Sequence, residues 1–117
     1  MLIRDEPTVK GMPRRQKADP LVAKIGARIR SLREELELTQ EKLAYEGGLS
    51  SKGHLSGIEK GLVRPTVETL STLANRLGVD LLDLVTFPEE SPRQQLVDLT
   101  RRMKPGTVRR LIRDAAG

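Results

Sequence analysis

The 117-residue chain has no cysteine and no tryptophan, and only one histidine, one tyrosine and one phenylalanine. Without thiols there can be no disulfide framework, zinc ribbon or cysteine nucleophile, and the composition fits a reducing compartment. Tyr45 and Phe87 alone cannot supply the stacking platforms that hold single-stranded nucleic acid. His54, the lone imidazole, cannot build a histidine metal site and has no evident partners for a Ser-His-Asp device. No stretch approaches the ~20 apolar residues of a membrane span, and the opening MLIRDEPTVKGMPRRQK lacks the apolar run of a secretory leader. A glycine-rich phosphate loop and a recognisable carboxylate pair are also missing, so an enzyme is the least supported class and no cofactor is expected. The expectation is a cytoplasmic protein without membrane contact.

What the chain does have is aliphatic and charged. Its 37% hydrophobic share suffices for one modest core, and 32% of its residues carry charge, with a net of +5. That charge is uneven. Residues 1–19 hold five basic and three acidic side chains, residues 20–90 nine and eleven, and residues 91–117 seven and two. The ends are basic and the middle is not, so a polyanion site in the middle must rest on placement rather than bulk charge.

The apolar pattern is helical throughout and never alternates as a strand would. Residues 1–19 show no period and read as a mobile basic arm. Asp19 before Pro20 is a helix start, an N-cap acceptor followed by proline at the first position. Leu21, Ile25, Ile29, Leu32 and Leu36 then mark one face of a helix. Thr39 caps a second helix through Tyr45 or Glu46, closed by Gly47–Gly48. Ser50 or Ser51 caps a third running to Lys60, with Gly61 as a left-handed stop. Thr66 caps a fourth, where Val67, Leu70, Leu73, Ala74 and Leu77 share a face before Gly78. A short fifth helix covers Asp80 to Val85. Beyond Phe87, Ser91–Pro92 caps another helix carrying Leu96, Leu99 and Met103. Pro105–Gly106–Thr107 reads as a break, and Val108, Leu111, Ile112 and Ala115 as a last amphipathic turn or two. The expected fold is all-α: an arm over 1–19, a five-helix domain over 20–87, and a basic helical extension over 88–117.

Two helices joined by a glycine-containing turn, the second one capped and polar outward, form the helix-turn-helix pattern. The runs I25-G-A-R-I-R-S-L-R33, L38-T-Q-E-K-L-A44, G48-L-S-S, L55-S-G-I-E-K-G61 and P65-T-V-E-T-L-S-T-L-A74 resemble the Xre-type DNA-binding family, which includes phage Cro and lambda repressor. The likeness spans about residues 21–86. It implies a lambda-repressor-like five-helix domain whose third helix enters the DNA major groove. It also implies that Gln40 holds a phosphate and braces that helix. From Leu49 to Leu55 this chain has one residue more than the family pattern. Placed in the turn, the extra residue makes Ser51 the cap and puts Lys52, Gly53 and His54 in the first turn.

Within this helix stand two glycines, Gly53 and Gly57, each costing roughly 1 kcal/mol of helix propensity relative to alanine. On a wheel of about 100° per residue with Leu55 at zero, Gly53 falls near 160° and Gly57 near 200°. Leu55, Ile58 and Leu62 place the buried direction near 330°. Both glycines are therefore expected on the outward face, letting the backbone approach base edges in a groove ~12 Å wide. Tolerance of exposed glycines by a well-packed helix is the plainer alternative.

Other residues have two readings each. Lys52 donates to guanine or to a phosphate, unless it is a solvated lysine. His54 is a DNA contact or a packed rim residue. Ser51 is a cap first and a phosphate contact second. Ser56 lies at the margin of the outward face. Lys60 and Arg64 are placed for backbone phosphates, although a cation after a helix C-terminus also serves its dipole. Glu59 is expected to pair with Arg30 or Arg33. The expected partner is double-stranded DNA, read as a homodimer through an interface supplied by the tail or by Leu81, Leu82, Leu84 and Val85 of the fifth helix. The competing reading is an antitoxin-like or adaptor protein whose residues 91–117 grip another protein. With no effector domain expected, regulation would come from a partner, proteolysis or the protein's own concentration.

Overall fold

A computed structural model describes residues 19–117; of the N-terminal arm read from the sequence, all but Asp19 lies outside them. Among the described residues there are seven helices and no strand. Helix α1 spans Pro20–Glu35, and the Asp19 carboxylate accepts the Leu21 N–H at 3.0 Å. Helix α2 (Gln40–Glu46) is capped by the Thr39 hydroxyl, which accepts the Lys42 N–H at 3.0 Å. Helix α3 (Lys52–Glu59) starts from Ser51, whose hydroxyl accepts the His54 N–H at 3.1 Å. The extra residue therefore does sit in the turn. Helix α4 (Val67–Leu77) is capped by Thr66 and stopped by Gly78 in the left-handed region at φ 72°. The short α5 (Leu81–Leu84) follows, then α6 (Pro92–Thr100) and α7 (Pro105–Ala116).

One aliphatic core joins the first five helices. Ile29 of α1, Leu43 of α2, Leu55 and Ile58 of α3, Leu73 of α4 and Leu84 of α5 have no exposed surface. Burying each such side chain stabilises the fold by about 1.5–3 kcal/mol before entropy is counted. Leu84 thus belongs to the interior rather than to an interface, while Leu81, Leu82 and Val85 are exposed as expected.

The α1–α3 crossing depends on small residues. A methyl at Gly26 would lie 2.1 Å from the Ile58 carbonyl oxygen, and one at Gly61 would lie 2.6 Å from Ala23 Cα. Gly61 also has φ 77°, which a side chain would strain. Backbones therefore nearly touch where α3 ends, and this seats α3 against α1.

The extension departs from the sequence reading. Pro105 starts α7 instead of breaking the chain: it occupies the first helical position, where its missing N–H is not needed, and the helix continues for 12 residues. No residue of α6 or α7 is buried. Helices α6 and α7 with their connecting turn, the hairpin, are attached to the domain mainly by polar contacts of α6 and the residues just after it. The buried Arg28 donates from Nε to the Asp83 carbonyl at 2.8 Å and from its terminal nitrogen to Asp98 of α6 at 2.7 Å. Arg101 bridges Asp98 and Glu35 of α1, each at 2.9 Å, and Arg102 also reaches Glu35. The Gln94 side-chain oxygen accepts the Phe87 N–H at 2.8 Å.

Candidate nucleic-acid interface

Helix α3 shows one strip of its surface to solvent. Lys52, Gly53 and Lys60 are exposed, and His54 and Ser56 are half-buried. Neither Lys52 nor Lys60 forms an ion pair among the described residues. Open grooves flank this strip. One, of about 530 Å³, is walled by Thr39, Gln40, Lys52, Ser56, Lys60 and Arg30 among others. Opposite it, a groove of about 600 Å³ is lined by Ser50, Ser51, His54, Arg64, Thr66 and Thr69 among others. Hydroxyls and cations at the starts of α2, α3 and α4 thus border α3, an arrangement suited to phosphates on both sides of a groove.

The helix is held from behind by a buried ion pair. Arg33 of α1 donates from Nε to one Glu59 oxygen at 2.7 Å and from its terminal nitrogen to the other at 3.1 Å. It also donates to the Leu38 carbonyl at 2.7 Å. The hydrogen bond to Glu59 raises the Arg33 pKa further above its usual value, so the guanidinium stays charged. Gln40 of α2 donates to the same carboxylate at 2.9 Å. Arg33, rather than Arg30, is the partner of Glu59, and the brace from Gln40 to α3 is present. A primary amide has two hydrogens, so Gln40 keeps one for a second acceptor. Arg30 instead pairs with Glu34 along α1 at 3.0 Å.

One expectation is overturned. Gly57 is buried, not outward, so the glycine-stripped surface reduces to Gly53. The chain leaving α3 turns back over that position: the Leu62 and Val63 N–H groups both donate to the Gly57 carbonyl, at 2.9 and 3.2 Å. Gly53 behaves as expected, since a methyl there would meet only the Ser51 hydroxyl at 3.6 Å. His54 lies 3.4 Å from the Ser50 hydroxyl through Nδ1, which suits the rim as well as the groove. Arg64 is exposed and donates to the Asp19 carboxylate at 3.3 Å, tying the segment after α3 to the cap of α1. Sequence reasoning passed over Thr39, Thr66 and Thr69 as groove residues. Their signal was their place at helix starts, where an N-cap hydroxyl beside α3 also lines its groove.

Among the described residues no three His, Cys, Asp or Glu side chains gather to hold a metal ion, and no helix is long and apolar enough to cross a membrane. A short, capped, cation-bearing helix set outward on a five-helix core defines a DNA-binding regulator of the helix-turn-helix class. The Helix-turn-helix family model matches residues 29–84. Over 68 residues the chain is 43% identical to the uncharacterised HTH-type transcriptional regulator y4dJ of Sinorhizobium fredii, covering 58% of this chain and 87% of that one. Identity to the immunity repressor protein of Bacillus phage phi105 is 36% over 61 residues, which is 52% of this chain and only 42% of that relative. Among solved structures, the restriction-modification controller protein C.AhdI from Aeromonas hydrophila superposes with a TM-score of 0.52 at 32% identity, over 54% of this chain and 94% of that one. The chain belongs to the Xre-like helix-turn-helix family.

Proposed function

We propose that the protein is a transcriptional repressor that reads a roughly palindromic operator as a homodimer, with α3 in the major groove. The observation that carries this reading is the exposed strip of α3 with Lys52 and Lys60 at its ends, backed by the Arg33–Glu59–Gln40 brace. Lys52 is the candidate for a base edge; Gln40, Ser51, Lys60 and Arg64 are candidates for phosphates. The repressor role follows the phage repressor among its relatives.

A homodimer is supported by what the hairpin leaves uncovered. Leu96 and Leu99 of α6 are 56% and 54% exposed, and Leu111 and Ile112 of α7 41% and 60%. Leu81, Leu82 and Val85 of α5 add to this apolar surface. A second copy seated there would pair two recognition helices, which on one face of DNA must lie about 34 Å apart.

The test is a titration of random duplex and of an operator selected from a random pool, each at two salt concentrations. The operator should be preferred by about 10³-fold or more, with a steep loss of affinity as salt rises. Sequence-blind binding would sink the regulator reading. A monomer that retains another protein through residues 91–117 would favour the adaptor reading instead.

A further inference from the structure

Helix α1 carries a buried arginine on each flank. Arg33 and Gly26 lie on the side that meets α3, through Glu59 and the Ile58 carbonyl. Arg28 and Glu35 lie on the side that meets the hairpin, through Asp98, Arg101 and Arg102. Position 28 is about 140–160° from positions 33 and 26 at about 100° per residue, so the two sets face nearly opposite ways. One rigid helix therefore separates the recognition element from the exposed apolar surface of α6 and α7.

Arg28 is the most constrained member of the second set. Its side chain is buried, and it joins three elements at once: α1 by its backbone, α5 through the Asp83 carbonyl, and α6 through Asp98. With no buried residue on α6 or α7, little apolar packing fixes the angle at which the hairpin leaves the domain. Directional hydrogen bonds to charged groups set it instead.

From this geometry we propose that Arg28, through Asp98, is a positioning residue that fixes the distance between the two recognition helices and so selects the operator's half-site spacing. This rests on the homodimer reading above. Arg28 acts at a distance from the DNA, holding the dimerising hairpin in register with α3 across the width of α1. A protein whose hairpin swings can still read each half-site, but it no longer rejects operators with a base pair added or removed between them.

The experiment is selection of bound duplexes from a random pool by the full chain, in the wild type, R28M and D98N. Wild type should return paired half-sites at one dominant spacing. Both variants should return the same half-sites spread over neighbouring spacings. The preference for the dominant spacing should fall by about tenfold, the scale of one lost charge-assisted hydrogen bond. Asp98 lies at the domain edge, so D98N decides the matter if R28M fails to fold. Unpaired half-sites from the wild type would overturn the homodimer reading and this inference together. Paired half-sites at one unchanged spacing in folded D98N would overturn this inference alone. So would unpaired half-sites from D98N only, since Asp98 would then hold the dimer together rather than set its angle.

Discussion

Gly26 of α1 and Ile58 of α3 approach so closely that a methyl group on Gly26 would lie 2.1 Å from the Ile58 carbonyl oxygen and 2.7 Å from that of Glu59. Both obstructing atoms are backbone, so neither can rotate away. Gly26→Ala must push the C-terminal end of α3 off α1, although alanine improves the propensity of α1 itself. Overpacking of this kind costs about 1–3 kcal/mol. Chemical denaturation should show that loss, and affinity for the operator should fall because the displaced segment is the recognition helix.

Gly53 is the opposite case, because a methyl there meets only the Ser51 hydroxyl at 3.6 Å. Gly53→Ala should raise stability by about 0.8–1 kcal/mol through helix propensity. If the helix presses its backbone toward base edges, the same methyl should weaken operator binding. A stabler variant with unchanged affinity would show that close approach at this position is not needed.

The structural part of the Arg33–Glu59 pair can be separated from its part in recognition by comparing a single with a double variant. Glu59→Leu leaves the buried guanidinium with the Leu38 carbonyl as its hydrogen-bond acceptor and Glu34 only at 4.0 Å, and should cost about 3–5 kcal/mol. In R33M/E59L, apolar side chains replace both charges, and most of that loss should be recovered. Gln40 then loses its acceptor, so DNA affinity should stay low even where thermal stability returns. Recovery of both together would mean that the brace has no part in recognition.

The elements legible in the sequence were those with local chemistry. Asp19, Thr39, Ser51 and Thr66 cap the helices they were read to cap, and Gly61 and Gly78 take positive φ where a stop was expected. Gly57 was misplaced because a wheel shows only which way a helix faces its own apolar residues, and not what the following chain covers. The helix ends at Glu59, and beyond it the chain returns to bond the Gly57 carbonyl. The tight fit at Gly26 left no local trace, since the backbone it meets is some thirty residues away. Docking of the hairpin was illegible for the same reason: Arg28 and Asp98 are 70 positions apart, and a basic tail by itself announces no acidic partner on α1.

The ion network under the hairpin gives a pH dependence of definite sign. Burial pushes the Asp98 carboxyl up, but hydrogen bonds from Arg101 and Arg28 outweigh this and hold it below its ordinary value. Glu35 is lowered chiefly by its hydrogen bond from Arg101. A depressed folded-state pKa contributes stability that is present above the unfolded values, about 3.9 for Asp and 4.3 for Glu, and is lost as pH falls through the folded ones. Wild type should therefore be stabler than D98N at neutral pH. The gap should be unchanged by this pair down to about pH 5 and close below about pH 4. Thermal unfolding of both proteins across that range checks it, and a gap that widens on acidification would refute the assignment.

Lys52 and Lys60 stand at opposite ends of α3, and both are exposed and form no ion pair among the described residues. Their charge is the same, so their roles should differ only by what each end of the helix meets. In helix-turn-helix docking the N-terminal residues of the recognition helix reach base edges, while positions farther along sit nearer the backbone. Lys52→Ala should therefore cost about 1–3 kcal/mol on the operator and less on random duplex, flattening the preference between them. Lys60→Ala should weaken both alike and reduce the slope of affinity against salt by about one ion. Titrations of the two variants on the two duplexes at several salt concentrations separate these patterns. If Lys52→Ala instead shifts both duplexes equally and lowers the salt slope, Lys52 is a phosphate contact, and the bases must be read by His54, Ser56 and the backbone at Gly53.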